Sequence, residues 1–296
     1  MSDSRIAETT EPETLKFRVL GCPVSVRCTA PGVGALLAEA APRAVEFGLP
    51  AGREIEIEIG PGVQRPIVEV RHEGQLIYQH YDPVQIAVEV ETLVTHLATG
   101  AWAEWVRVHA GCATIGGRRA LFTGDKAAGK TTLMLALLAA GHAVHGDENV
   151  LLRGGVTLPV PRKFHLREGS LSLVPELEPV RTSLCRREHP EIGPFRFFDP
   201  SDLGQTWNVG FAPAAAVFIL ESGFGGPSIV TPCAKVDAVR HLLFQTMNLS
   251  GEPSRELREI SLLAGKVNAF RLKVGELAEA IRVIEAALVT RDVHGS

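Results

Sequence analysis

What the 296-residue chain lacks narrows its class before any motif is read. No two cysteines stand in Cys-x-x-Cys spacing. The five present, Cys22, Cys28, Cys112, Cys185 and Cys233, are scattered and odd in number. Neither a disulfide framework nor a zinc site is expected, and a reducing cytoplasm suits them. Positive charge is not in excess: 30 Lys and Arg against 34 Asp and Glu give a net charge of −4. That balance argues against nucleic acid or an anionic membrane as partner. No apolar run approaches the ~20 residues needed to span a bilayer. The first ten residues are polar and acidic, without the basic start and apolar stretch of a secretory signal. A cytoplasmic protein is the expectation. With 45% hydrophobic and 22% charged residues, the chain can bury one large core or two modest ones.

The pattern along the chain divides it into three. Residues 1–14, rich in Ser, Thr, Glu and Asp, read as a disordered tail. Residues 15–104 read as an α+β unit of period-two runs: Leu15–Leu20, Pro23–Cys28, Arg53–Ile59, Ile67–Arg71 and Gln75–His80. Ile55, Ile57 and Ile59 alternate with Glu54, Glu56 and Glu58, as in a strand with one wet face, and Glu73-Gly74 reads as a hairpin turn. A helix follows, with Asp82 as N-cap, Pro83 in its first turn and Gly100 at its end. Ile86, Val90, Leu93, Val94 and Leu97 share its apolar face.

Residues 105–296 read as a second, α/β unit. It opens with one apolar strand from Val106 to Ile115, a Gly116-Gly117 turn and a second strand, Ala120–Thr123. A glycine loop leads into a helix from Lys130 to Ala140 that is apolar nearly all round. Further strands are expected at Val150–Arg153, Ala214–Leu220 and Val267–Leu272, and helices at Val236–Met247, Ser254–Leu263 and Glu276–Leu288. The proline-bearing stretch 170–212 reads as loops and short strands.

The loop carries the chemistry. Gly124-Asp125-Lys126-Ala127-Ala128-Gly129-Lys130-Thr131 matches G-x-x-x-x-G-K-[ST] without a gap. Glycines let the backbone curl so that N–H groups point at phosphate oxygens, and the helix that follows directs its positive end at the same place. Lys130 brings an ammonium to the β and γ phosphates, and Thr131 offers a hydroxyl to Mg²⁺. Residue frequencies give the pattern by chance about once per hundred chains of this length. Gly124 to Thr132 are therefore the ATP-binding candidates, Thr132 completing the run, with ATP and Mg²⁺ as cofactors.

Gly141-His142-Ala143-Val144-His145-Gly146-Asp147-Glu148 follows the loop helix. A βαβ crossover places this segment alongside the loop strand, with Asp147 and Glu148 at the carboxyl edge near the nucleotide. Two acids there suit two tasks: one takes a proton from an attacking hydroxyl, the other holds Mg²⁺. Glu221, at the end of the apolar run Ala216–Leu220, competes for the metal role. His142, His145 and Asp147 lack the fourth group a zinc site needs. Cys112 and His109, three apart on one strand, face opposite ways. Arg162, Lys163, Arg181, Arg186, Arg187, Arg271 and Lys273 are all eligible to neutralise a transferring phosphoryl group, and spacing does not choose among them.

Three features together resemble the HPr kinase/phosphorylase superfamily and its smaller related kinases. They are His109 in Val108-His109-Ala110-Gly111, the loop fifteen positions later, and Gly141-His142 followed by Asp147-Glu148. The segment Ala238–Leu288, with Leu242-Leu243-Phe244-Gln245-Thr246 and Phe270-Arg271-Leu272, is similar as well. The resemblance implies an α/β fold with a P-loop kinase core of the HPr kinase/phosphoenolpyruvate carboxykinase type, preceded by the smaller N-terminal unit. It implies Asp147 as the base on the acceptor hydroxyl, Lys130 and the loop as the ATP site, Thr131 and Glu148 at the metal, and His109 close to the reaction. It also implies a serine of a small protein or peptide as acceptor, and by analogy a homo-oligomer. The Gly-Arg-Asn run and the Arg-Gly segment of the true HPr enzymes are absent, so it implies neither HPr as acceptor nor the reverse phosphorylase reaction. A small-molecule hydroxyl kinase, an ATPase coupling hydrolysis to partner binding, and a non-catalytic nucleotide-binding module are the competing readings.

Overall fold

A computed structural model describes residues 12–63, 66–221, 226–247 and 252–289. It is a mixed α/β structure with several sheets. Most of the expected tail, residues 1–11, lies outside the described residues.

The N-terminal part builds a five-stranded sheet in the order β1-β2-β4-β5-β6, from β1 (Glu13–Val19), β2 (Cys22–Cys28), β4 (Ile55–Pro61), β5 (Val68–His72) and β6 (Gln75–His80). The strand β1 thus begins two positions inside the stretch read as tail. Ile55, Ile57 and Ile59 are buried while Glu56 and Glu58 are exposed, as the alternation requires. Helix α2 (Pro83–Gly100) is capped by Asp82, whose carboxylate accepts from Val84 N–H at 2.8 Å. Two elements escape the sequence pattern: α1 (Val33–Ala40), which has no side-chain cap, and the short β3 (Ala44–Glu46).

The second half starts with β7 (Val106–His109), β8 (Gly111–Ile115), β9 (Arg118–Gly124), α3 (Lys130–Ala139), β10 (Ala143–Gly146), β11 (Asn149–Arg153) and β12 (Val156–Val160). Then come β13 (Phe164–Arg167), α4 (Glu168–Leu173), α5 (Glu178–Arg181), β14 (Arg187–His189), β15 (Gly193–Phe198), β16 (Trp207–Val209) and β17 (Ala212–Pro213). The chain ends with β18 (Ala216–Glu221), β19 (Ile229–Pro232), α6 (Lys235–Phe244), α7 (Pro253–Lys266), β20 (Asn268–Lys273) and α8 (Leu277–Val289). The main sheet runs β10-β8-β9-β18-β20-β19, with β9, β18 and β20 parallel. Its strands are buried on both faces. Phe122, Phe218 and Leu220 pack on the side of α3 and α8, while Leu121, Val217 and Ile219 pack on the side of α6 and α7. A second, antiparallel sheet runs β17-β12-β11-β7.

Two expectations need correction. The run Val106–Ile115 is not one strand: it breaks at Ala110, β7 joining the second sheet and β8 the main one. The segment after α3 does not lie beside the loop strand either; β10 pairs antiparallel with β8, which separates it from β9. The chain changes sheets again between β10 and β11, through Asp147 and Glu148. The two changes lie side by side, tied by Ala110 N–H donating to Glu148 C=O at 3.0 Å. Each carries a glycine that admits close packing. A Cβ at Gly111 would stand 2.9 Å from Met134 Sδ of α3, and one at Gly146 would stand 3.0 Å from Val160 O. The split also places His109 and Cys112 on strands of different sheets, with Cys112 fully buried and its thiol pushed up to about 12 by burial.

The two halves share one hydrophobic cluster, and β3 pairs in parallel with β16, Trp207 opposite Ala44. Among the described residues no helix is long and apolar enough to cross a membrane. The main sheet is held at its centre by a stack of Phe122, Phe218 and Phe270 across neighbouring strands, ring centroids 5.2 and 5.1 Å apart. Phe218 is fully buried. Phe218→Ala is expected to cost about 3–5 kcal/mol, measured by urea unfolding; a loss under about 1 kcal/mol would show that the stack does not carry this sheet.

Candidate functional site

The loop grows from the end of β9, at the carboxyl edge of the parallel strands, the usual place for a ligand in such a sheet. Ala127 has φ 66° and Gly129 φ 88°, so the backbone turns left-handed twice within three residues. At Ala127, which has a Cβ, this costs about 1–2 kcal/mol. Alternation of this kind turns successive N–H groups toward one point, as an anion-binding concavity requires. Lys130 is buried, and its Nζ donates to Gly124 O at 2.5 Å and Asp125 O at 3.1 Å. Burial lowers its pKa, against Asp125, Glu148 and Asp147, which pull it up.

Thr131 and Asp147 meet directly: Thr131 Oγ1 donates to Asp147 Oδ2 at 2.9 Å. The other carboxylate oxygen, Asp147 Oδ1, is buried and has no hydrogen-bond partner. Burial, then the adjacent Glu148 charge, pushes the Asp147 carboxyl up to about 7. For Glu148 burial also works upward, but Arg162, His109, His165 and Arg107 outweigh it and the pKa is lowered. One acid of the pair is therefore protonated far more readily than the other. The carboxylate that touches the loop hydroxyl is Asp147; Glu148 is instead paired with Arg162 Nη1. A hard cation such as Mg²⁺ fits this oxygen set: a hydroxyl, an unpartnered buried carboxylate oxygen and a second acid next in sequence. Among the described residues no group of three or more His, Cys, Asp or Glu could hold a metal. Such an ion would thus lean on substrate phosphates and water, as Mg²⁺ commonly does.

The other candidates fall out as follows. His109 is half-buried beside the acid pair, its pKa lowered by burial and by Lys130. Asp125 and Lys126 are exposed on the outside of the loop. Thr132 turns its hydroxyl to Ser170 Oγ at 3.0 Å, on the side of α4. His142 pairs with Glu285 at 3.3 Å, and His145 is bound by Thr114 Oγ1 at 2.7 Å and Asn208 O at 2.8 Å, its pKa pushed down to about 4 by burial first and Arg119 second. Both are structural. Glu221 ends β18 next to the loop strand, but it is exposed and salt-bridged to Arg271 at 3.2 Å.

Arg162 emerges from the list of basic residues. It reaches Glu148 with Nη1, His165 Nδ1 with Nη2 at 3.0 Å, and Glu91 Oε1 with Nε at 3.5 Å. Glu91 was not singled out in the sequence, although it stands on the buried stripe of α2, four residues beyond Ala87 and four before Thr95. An acid at that register is the signal that was there to find. His241 of α6 was also missed; its Nε2 lies 3.4 Å from Thr123 Oγ1 at the base of the loop, and no sequence pattern marks it.

No protein-family model matches the chain, and no curated protein does. Among solved structures it is similar to the Hpr(Ser) kinase/phosphatase from Coxiella burnetii, at TM-score 0.30 and 12% identity over 64% of this chain and 99% of that one. A superposition that loose fixes no correspondence between residues.

The folded state holds a proton on Asp147 up to about pH 7, whereas an ordinary aspartate releases it near 3.8. This acid therefore favours the folded state fully below the ordinary value, and the contribution is lost as pH rises through about 7. In buffer free of metal and nucleotide, Asp147→Asn is expected to raise Tm relative to the parent most at pH 8, with the gap shrinking toward pH 5. A gap independent of pH would place an ordinary, ionised carboxylate at this position.

Proposed function

We propose that the chain is an ATP-dependent kinase that transfers the γ-phosphate to a hydroxyl acceptor, a serine of a small protein or peptide, in the manner of the HPr-kinase-related enzymes it resembles in sequence. The observation that carries the reading is the 2.9 Å contact between Thr131 of the phosphate loop and the buried Asp147. It joins a phosphate-binding motif to an acid whose remaining oxygen is free to take a proton.

In this reading the loop N–H groups and Lys130 bind the β and γ phosphates. Lys130 exchanges the carbonyls of Gly124 and Asp125 for phosphate oxygens. Asp147 Oδ2 stays anchored by Thr131 and Glu148, while Oδ1 accepts the proton of the acceptor hydroxyl as its oxygen attacks the γ phosphorus. A new O–P bond forms, the bond from phosphorus to the β–γ bridging oxygen breaks, and ADP leaves with that oxygen's electron pair. Mg²⁺, held by Thr131 and Glu148 with Asp147 adjacent, supplies charge neutralisation on the phosphates when bound. The burial that lifts the Asp147 pKa toward neutrality suits a general base at cellular pH. His109, beside Lys130, tunes the charge around the phosphates. The absence of cysteine pairing and of a basic face suits a cytoplasmic enzyme acting on a soluble acceptor rather than on nucleic acid or membrane.

The test is transfer from γ-labelled ATP to serine peptides, small proteins and small alcohols. Asp147→Asn is expected to lower transfer at least ~10²-fold with Mg²⁺-ATP binding changed only a few-fold, and Lys130→Ala to weaken nucleotide binding itself. Release of free phosphate at a rate indifferent to Asp147→Asn would reject the kinase in favour of a hydrolase.

A further inference from the structure

The basic residues of the 160–212 region are nearly all engaged away from the loop. Lys163 donates to Glu39 O at 2.7 Å, Arg187 is paired with Glu39 at 2.6 Å, Arg181 with Glu178 at 3.0 Å and Arg186 with Glu188 at 2.7 Å. Arg107, also near the acid pair, spends its Nε on Asn149 Oδ1 at 2.8 Å. Arg162 alone among these points its guanidinium fork at the acid that follows Asp147. Its other two nitrogens are held from behind: Nη2 by His165, and Nε facing Glu91, whose Oε2 accepts from or donates to His165 Nε2 at 3.2 Å. Glu91 is nearly fully buried, and Phe17, Leu37, Val90 and Val94 wall the cavity that it and Arg162 share. Water is thus kept from the Glu91–Arg162 contact, which strengthens it.

The arrangement has one fixed end and one exchangeable end. A carboxylate and a phosphate present similar oxygen edges to a guanidinium, so the Nη1 side can pass from Glu148 to a phosphate without the fork being rebuilt. From this geometry we infer that Arg162 binds the terminal phosphoryl group of the nucleotide, and that Glu91, from the N-terminal part of the chain, is the positioning residue that holds Arg162 for it. The inference rests on the reading that the 124–131 loop binds ATP. It deepens that reading by completing the site with a residue nearly sixty positions upstream of the acid pair in sequence.

ATP differs from ADP by the group Arg162 would contact, so the ratio of their affinities reads the contact directly. The assay is calorimetric titration of the full chain with Mg²⁺-ATP and Mg²⁺-ADP. Arg162→Lys keeps the charge but removes the fork. It is expected to lower ATP affinity ~10-fold or more while leaving ADP affinity within ~2-fold. Glu91→Gln, which keeps shape and removes the anchor's charge, is expected to shift the ratio the same way by ~3-fold. Should Arg162→Lys fail to melt cooperatively, the Glu91→Gln ratio decides. An ATP to ADP ratio equal to the parent's in folded variants overturns the inference while the loop reading stands. A parent chain that binds neither nucleotide brings down the loop reading, and this inference with it.

Discussion

The architecture around the site depends on a double change of sheet. The chain leaves one sheet for the other at Ala110, and again at Asp147 and Glu148, and a single backbone hydrogen bond joins the two crossings. Backbone groups at such a break lose their strand partners and must find others. Here Ala110 N–H finds Glu148 C=O and His109 N–H finds Gln245 C=O. The consequence is positional. Asp147 and Glu148 occupy a bend with no freedom to slide along a ladder, since β10 and β11 on either side are registered in different sheets. The bend is thereby fixed over the start of α3, where Thr131 meets it.

That fixity explains the electrostatics. Two neighbouring acids in a site closed to water cannot both be ordinary carboxylates. The fold resolves the conflict by unequal supply of partners: Arg162 serves Glu148, while Asp147 receives one hydroxyl and is left with an unsatisfied oxygen. An unpaired buried polar atom is costly, and natural proteins keep few of them. One placed beside a phosphate-binding motif is the kind of local penalty that a functional site retains.

Local signals carried much of the structure into the sequence. The phosphate loop is legible because glycine, lysine and threonine at fixed offsets each have a local job, and helix α2 because Asp82 and Pro83 announce its start. The alternation through Ile59 marks β4 for the same reason. What could not be read depends on partners distant in sequence. The run 106–115 is apolar on both sides of Ala110, and burial in one sheet or another leaves the same pattern; only Gly111 and Gly146 mark the crossings, and a glycine has many other uses. Helix α1 carries no capping side chain and is eight residues long, too short to impose its period. Arg162 could not be told from its neighbours, because what distinguishes it are Glu91, His165 and Glu148 in space.

The parallel pairing of Ala44–Glu46 with Trp207–Val209, and the burial of Glu91 against Arg162, bear on how the molecule is made. During synthesis the first hundred residues leave the ribosome well before either partner exists. The sheet β1-β2-β4-β5-β6 can gather around α2, yet the acid on that helix has no counter-ion until the chain has grown past position 162. A buried carboxylate without its guanidinium is unfavourable by several kcal/mol. The nascent N-terminal portion therefore waits in a looser form and tightens only when the later segment arrives, so that the two parts mature together rather than one after the other.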